Sequence, residues 1–235
     1  MYNTSISKDT SNRLPVISLQ QRINDLELCL QETLNQFHPK LALACSFGAE
    51  DMVLVDALGR LKPSAKVFYL DTSLLFDETY QLIELARDKY SLYFERVTTD
   101  LTLQSQEKVH GPALWMRFPD QCCQIRKVEP LKRYLSTLDA WITGIRREQS
   151  ATRAHSQIKE WDSKFALTKF NPLAFWTWKD VWSYICQFQV PYNPLHDQNY
   201  PSIGCIPCTA PILPGEDPRS GRWKGSAKTE CGLHK

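Results

Sequence analysis

No stretch of this 235-residue chain approaches the roughly 20 apolar residues a bilayer span needs, which argues against an integral membrane protein. Nor does charge of one sign dominate, with 28 Lys and Arg against 26 Asp and Glu, a net charge of +2. Without a global field there is no basis for holding nucleic acid or an anionic membrane, so an anionic ligand must be met by a local basic cluster. Met1–Arg13 lacks the apolar core of a secretory signal; residues 1–15 read as a disordered tail and the chain as cytoplasmic. Internal repeats and low-complexity tracts are also missing. The length suits one large α/β domain, here residues 16–215, followed by a flexible segment over 216–235.

Cysteine, by contrast, is plentiful. The eight are Cys29, Cys45, Cys122, Cys123, Cys186, Cys205, Cys208 and Cys231. The chain is neither small nor evidently exported, so clustered thiols point to metal or redox chemistry rather than to a disulfide framework. Cys29 and Cys186 lie in apolar, helix-like stretches and read as buried small hydrophobes.

Hydrophobic periodicity predicts a helix over 17–37, with Leu19, Ile23, Leu26, Leu30 and Leu34 on one face. Short buried strands follow at Leu41–Ala44, Val67–Leu70, Leu92–Val97 and Ala140–Thr143, separated by helices at Met52–Leu58, Asp77–Tyr90 and about 121–136. A further helix is expected over Trp178–Phe188, and Trp161, Trp176, Trp178 and Trp182 read as core or interface residues. The alternation indicates a parallel twisted sheet with helices on both faces. Ligands of such sheets bind beyond the strands' C-terminal ends, where Cys45–Asp51, Asp71–Thr72, Cys122–Lys127 and Gly144–Arg153 all fall.

Each of these segments has a chemical reading and a plain one. Ser46-Phe-Gly-Ala-Glu-Asp51 opens a helix and offers backbone N–H groups to an anion; an ordinary N-capped helix fits equally well, and the Gly-Lys-Ser/Thr ending of a Walker A loop is missing. Cys122-Cys123 with Cys205-Ile-Pro-Cys208 supplies four sulfur ligands, which suits an iron–sulfur cluster better than one zinc, because adjacent side chains diverge. Structural zinc, a vicinal disulfide and a Cys205/Cys208 dithiol remain rival readings. Cys231 lies outside any apolar run; Lys228 and His234 beside it favour a thiolate nucleophile, with an inert tail thiol as the alternative. Lys127, Arg146, Arg147, Arg153, Arg219, Arg222 and Lys224 are placed as an anionic substrate would need, although singly each suits a solvated face.

Taken together, these motifs make the chain resemble the assimilatory adenylyl-sulfate reductases, in the phosphoadenylyl-sulfate (PAPS) reductase family. The likeness rests on SFGAED (46–51), LDT (70–72), CCQIRKVEPL (122–131), TGIRREQSATR (143–153), KFNPL (169–173), PYNPLH (191–196), IGCIPCT (203–209), GRW (221–223) and ECGLH (230–234). It implies an adenine nucleotide α-hydrolase-like fold and reduction of adenosine 5′-phosphosulfate (APS) to sulfite and AMP through an S-sulfonate on Cys231. It also implies a [4Fe–4S] cluster on Cys122, Cys123, Cys205 and Cys208, with Lys127 between cluster and substrate. Arg153, Arg219 and Arg222 would hold the phosphosulfate; Ser46, Gly48, Thr72, Gly144 and His234 are further candidate contacts. Phe47 departs from the many relatives that carry serine or glycine there, and Cys45 has no assigned role. No thioredoxin-like domain follows, so thioredoxin or a similar dithiol is expected as a separate reductant, and a homo-oligomer is compatible with the sequence. PAPS or dual specificity, an ATP pyrophosphatase of the same fold and a non-catalytic zinc module are the alternatives; the Ser-Gly-Gly-x-Asp-Ser loop of pyrophosphatases is missing.

Overall fold

Leu41–Ala44 is short, apolar and screened on both faces, as a central strand of a parallel sheet must be. This strand, β1, pairs in parallel with β2 (Lys66–Asp71) on one side and β4 (Ala140–Ile142) on the other. β3 (Tyr93–Thr98) extends the sheet beyond β2, and β6 (Leu167–Phe170) beyond β4, both in parallel. β5 (Lys159–Asp162) closes the edge antiparallel to β6, giving the order β3-β2-β1-β4-β6-β5. The architecture comes from a computed structural model and is described for residues 17–226, 228 and 230–233.

Alternating side chains of the strands face two cores. Leu43, Val67 and Ile142 point to the larger one, built with α1 (Leu19–Phe37), α2 (Ala49–Leu61), α3 (Asp77–Lys89) and α8 (Trp178–Phe188). Ala42, Phe68 and Trp141 point the other way, against Leu131 and Leu135 of α7 (Glu129–Leu135). Helices therefore cover both faces, as the strand–helix alternation predicts. The α1 stripe Ile23, Leu26, Leu30 and Leu34 is buried, and the Ser18 hydroxyl accepts from Gln21 N–H at its start (3.1 Å). No described helix is long and apolar enough to cross a membrane.

Between β3 and α7 the weakly patterned segment forms short helices, α4 (Leu103–His110), α5 (Leu114–Arg117) and α6 (Pro119–Cys123), then a π-helical turn over Gln124–Val128. The expected helix over 121–136 is therefore three pieces, and a π turn of this kind is a frequent mark of a functional site. One expectation fails. Cys186 is exposed and Cys29 only half-buried, because each lies one residue, about 100° of helix rotation, from the buried stripe. Trp161 is 65% exposed on the edge strand β5, whereas Trp176 is buried.

Candidate active site

In the order β3-β2-β1-β4-β6, the chain's progression reverses between β1 and β4, and the loops leaving these two strands diverge there. A cavity of about 580 Å³ opens at this point, within the range of small-ligand sites. Its walls include the Ser46–Asp51 turn after β1, Thr143–Arg146 after β4, and Arg219, Arg222 and Cys231 from the C-terminal segment.

The turn after β1 is built inward. Asp51 Oδ2 accepts from both the N–H and the hydroxyl of Ser46, each at 2.6 Å, so these two donors hold the turn rather than face an anion. Phe47 takes the left-handed conformation (φ 60°) and sends its ring into the core against Tyr69 and Phe94, which accounts for an aromatic residue there. Cys45 is buried beside it; burial pushes its thiol well up, so it belongs to the core. Gly48 lines the cavity at the N-cap of α2, and a Cβ there would meet nothing closer than 3.6 Å. Gly144 is different, because a Cβ would lie 2.2 Å from Asp51 Oδ1. Gly144→Ala must therefore displace the Asp51 carboxylate, and should lower stability by about 1–3 kcal/mol, measured by denaturant unfolding.

Asp51 also gives a pH signature. Burial pushes its carboxyl up to about 6, against the lowering effect of the two Ser46 hydrogen bonds. The fold thus favours the protonated form, so this contribution is complete below pH 4 and is lost as pH rises through 6. Asp51→Asn keeps an acceptor for Ser46 without the charge. Its stability relative to wild type should rise by roughly 2–3 kcal/mol between pH 4 and pH 7.5, and a constant difference across that window would contradict the assignment.

Of the basic residues expected to meet an anion, Lys127, Arg146, Arg153, Arg219 and Arg222 line the cavity; apart from Arg146, they do so in two ways. Lys127, on the π turn, walls both this cavity and the smaller one holding the cysteines. Burial lowers its ammonium pKa, but the facing Cys205 and Cys231 sulfurs outweigh that and raise it, so Lys127 is a fixed cation. The Arg222 guanidinium stacks on Trp223 (4.5 Å), donates to Ser202 Oγ (3.2 Å), and passes so close to Gly204 that no Cβ would fit. Arg153 and Arg219 instead meet within the protein, on Glu230. Arg153 Nε and Nη2 donate to the two Glu230 oxygens at 3.1 and 3.0 Å, and Arg219 Nη2 donates at 3.0 Å. Burial would raise the Glu230 carboxyl, but the Arg153 hydrogen bond and the two charges hold it below the usual range. The C-terminal segment, expected to be flexible, is docked in this structure. Leu233 packs on the core around Trp141, Lys164 Nζ donates to the Gly232 carbonyl, and Lys228 pairs with Asp120 rather than with Cys231. His234 lies outside the described residues.

Cys122, Cys123, Cys205 and Cys208 wall one small cavity together with Thr72, Arg126, Lys127 and Trp223. Thr72 thus faces the cysteines and is absent from the walls of the larger cavity where a nucleotide contact was expected; its hydroxyl lies 3.3 Å from Cys205 Sγ. Burial and the neighbouring thiols push Cys122 up to about 12 and Cys208 up to about 11. Thiols that raise one another in this way become thiolates when a cationic centre joins them. Among the described residues no group of three or more His, Cys, Asp or Glu side chains is positioned to hold a metal ion as the structure stands. Four sulfur donors on one cavity could together hold a metal centre.

The family model of the phosphoadenosine phosphosulfate reductase domain matches residues 40–211, which hold all six strands and most of the residues around both cavities, while Arg219, Arg222 and Cys231 lie beyond it. The chain belongs to this family. A relative from Staphylococcus epidermidis named adenosine 5′-phosphosulfate reductase is 52% identical over 195 residues, covering 83% of this chain and 80% of its own. One from Bacillus subtilis, named adenosine 5′-phosphosulfate reductase 2, is 46% identical over 99% of both chains. Among solved structures, the phosphoadenylyl-sulfate reductase of Candida auris in its phosphate complex superposes with a TM-score of 0.69 at 25% identity, over 89% of this chain and all of the other. A Candida glabrata FMN adenylyltransferase, at 17% identity and TM-score 0.59, covering 86% of this chain and 70% of its own, shares the fold alone.

Two further cavity residues are Arg146, expected to meet an anionic substrate, and His196, which the motif reading left without a role. Arg146 is buried and held by Glu50 (2.8 Å) and Glu148 (2.7 Å), with its guanidinium over Trp178. Its burial makes it a structural cation, which the run of arginines in 146–153 did not distinguish. His196 of the PYNPLH motif stacks edge-on to Trp178 and Trp182, and its Nδ1 lies 2.9 Å from the Tyr200 carbonyl.

Proposed function

We propose that the chain is an oxidoreductase that reduces adenosine 5′-phosphosulfate to sulfite and AMP at the expense of a dithiol, in assimilatory sulfate reduction and cysteine biosynthesis in the cytoplasm. The reading is carried by one observation: Cys231, Lys127 and Arg222 line the same cavity, a sulfur nucleophile beside fixed cations. The names of relatives about 50% identical over most of the chain support the same substrate.

Attack on a sulfate sulfur is opposed by its negative oxygens. Lys127 and Arg222 reduce that opposition and stabilise charge moving onto the departing phosphate. The Cys231 thiolate forms the new S–S bond, the S–O bond to AMP breaks, and AMP leaves with the electron pair. Thioredoxin or a similar dithiol then attacks Cys231 Sγ; sulfite leaves with the S–S bonding pair, and a second thiol resolves the mixed disulfide. The dithiol is oxidised and Cys231 is restored as a thiol, so the two electrons come from thiols alone. Cys122, Cys123, Cys205 and Cys208 would hold a [4Fe–4S] cluster, whose negative charge when bound sits beside Lys127 and helps fix that ammonium toward the substrate.

The test is sulfite release by anaerobically purified protein with thioredoxin, run in parallel with APS and its 3′-phosphorylated form, alongside iron and sulfide analysis. Faster turnover of APS and four irons per chain are expected. No sulfite from either nucleotide would overturn the reading, and a preference for the 3′-phosphorylated form would reassign the substrate.

A further inference from the structure

We infer that Glu230 is a positioning residue: it docks Cys231 over the cavity by occupying the fork of Arg153, so that while the segment is docked Arg153 holds the protein's own carboxylate rather than the substrate. The inference deepens the proposed function and rests on Cys231 being the nucleophile.

The geometry is that of a hook. Glu230 precedes Cys231 and is 3% exposed, far less than a glutamate in a surface segment ordinarily is. Oε1 accepts from Arg153 Nε (3.1 Å) and Thr152 Oγ1 (3.2 Å), and Oε2 from Arg153 Nη2 and Arg219 Nη2 (both 3.0 Å). Both oxygens are thus satisfied, with the paired Nε/Nη2 fork that arginine offers carboxylate, phosphate and sulfate alike. Arg153 itself is fixed from behind, its Nη1 donating to Gln149 Oε1 at 2.6 Å. Among the described residues beside Cys231, the other polar attachments are weaker. Asp120, the partner of Lys228, is 87% exposed, and Lys164 reaches Gly232 from the surface. The buried carboxylate is therefore the attachment whose loss should release the nucleophile.

The same contact changes how the cations divide their work. A guanidinium fork already filled by Glu230 is not also filled by a phosphosulfate, which leaves Lys127 and Arg222 facing the ligand in the docked state. Removing the carboxylate returns the Arg153 fork to the cavity. Nucleotide binding should then hold or tighten even as the chemical step fails, an outcome opposite in sign to that of simply losing a substrate contact.

Glu230→Gln tests this on the holoprotein. Without nucleotide, alkylation of Cys231 by iodoacetamide, followed on its own peptide, should be about tenfold faster than in wild type. Removing a negative neighbour could itself quicken a thiol, so Arg153→Gln, which changes charge in the opposite sense, must give the same acceleration, and the double variant no more than either alone. With APS, single-turnover formation of the Cys231 S-sulfonate should fall about 10–100-fold in Glu230→Gln, while AMP affinity by calorimetry is unchanged or higher. Unaltered alkylation in either single variant, or AMP affinity falling in step with turnover, would overturn the inference. Alkylation needs no turnover, so it reports on docking even if Cys231 proves not to be the nucleophile; that question is decided by the Cys231→Ser variant.

Discussion

Replacing Cys231 with serine should lower sulfite release from APS by at least about 10⁴-fold, with AMP affinity and iron content unchanged. A hydroxyl at the same place stays protonated near neutral pH and is a far poorer nucleophile than a thiolate, so the first step fails. The second step fails independently: a sulfate ester on serine offers no S–S bond for an incoming dithiol to cleave. The variant therefore has no slow route through the same intermediate, unlike the loss of one cation, which only raises a barrier. The side chain is half-buried at the cavity wall and is not one of the four cysteines around the smaller cavity, so binding and metal content are separable readouts. Sulfite release within tenfold of wild type would end the assignment of the nucleophile.

Much of this arrangement is legible in the residues, for identifiable reasons. Strands such as Leu41–Ala44 and Ala140–Ile142 are buried on both faces and announce themselves as unbroken apolar runs. β5 and β6 escape that signal. Lys-Glu-Trp-Asp at 159–162 is an exposed edge whose pairing is set by β6, and Lys169 inside β6 is tolerated because Glu160 pairs with it at 3.0 Å. The cysteine quartet is legible because a Cys-x-x-Cys pair and a Cys-Cys pair have few other uses. What no motif reveals is the partner of each cation. Arg146, Arg153 and Arg222 look alike in a string of letters, yet one is held by Glu50, one by Glu230, and one stacks on Trp223 at the cavity. Those partners lie 96, 77 and one residue away, so in the first two cases only the folded topology decides which arginine faces a ligand. Thr72 shows the same limit. It follows a strand end as a nucleotide contact would, but the turn after β2 aims it at Cys205.

Arg126 carries the second large expected effect. It is 1% exposed, among the largest fully buried side chains, and it lies beside the cysteine cavity. Its Nε donates to Gln106 Oε1 (2.8 Å), Nη1 to the Thr72 carbonyl (2.9 Å) and Nη2 to the Leu101 carbonyl (3.2 Å). Burial lowers its pKa, and the neighbouring Cys122 and Cys205 sulfurs oppose that only in part. Arg126→Leu would leave three acceptors inside the protein without their donor, and each such loss costs about 1–3 kcal/mol. Allowing for relaxation, about 3–5 kcal/mol of stability should be lost, lowering the melting temperature by about 10 °C or more for a chain of this length. Arg126→Lys should not rescue it, because one ammonium on a flexible stem cannot reproduce a planar fork that ties Thr72 to both Leu101 and Gln106. The effect should also reach the proposed cluster site: Thr72 joins the guanidinium, through its carbonyl, to Cys205, through its hydroxyl. Iron should then be lost from Arg126→Leu at temperatures where its circular dichroism is still native. Wild-type melting together with full iron retention would mean that the buried cation contributes nothing to holding the two cysteine pairs together.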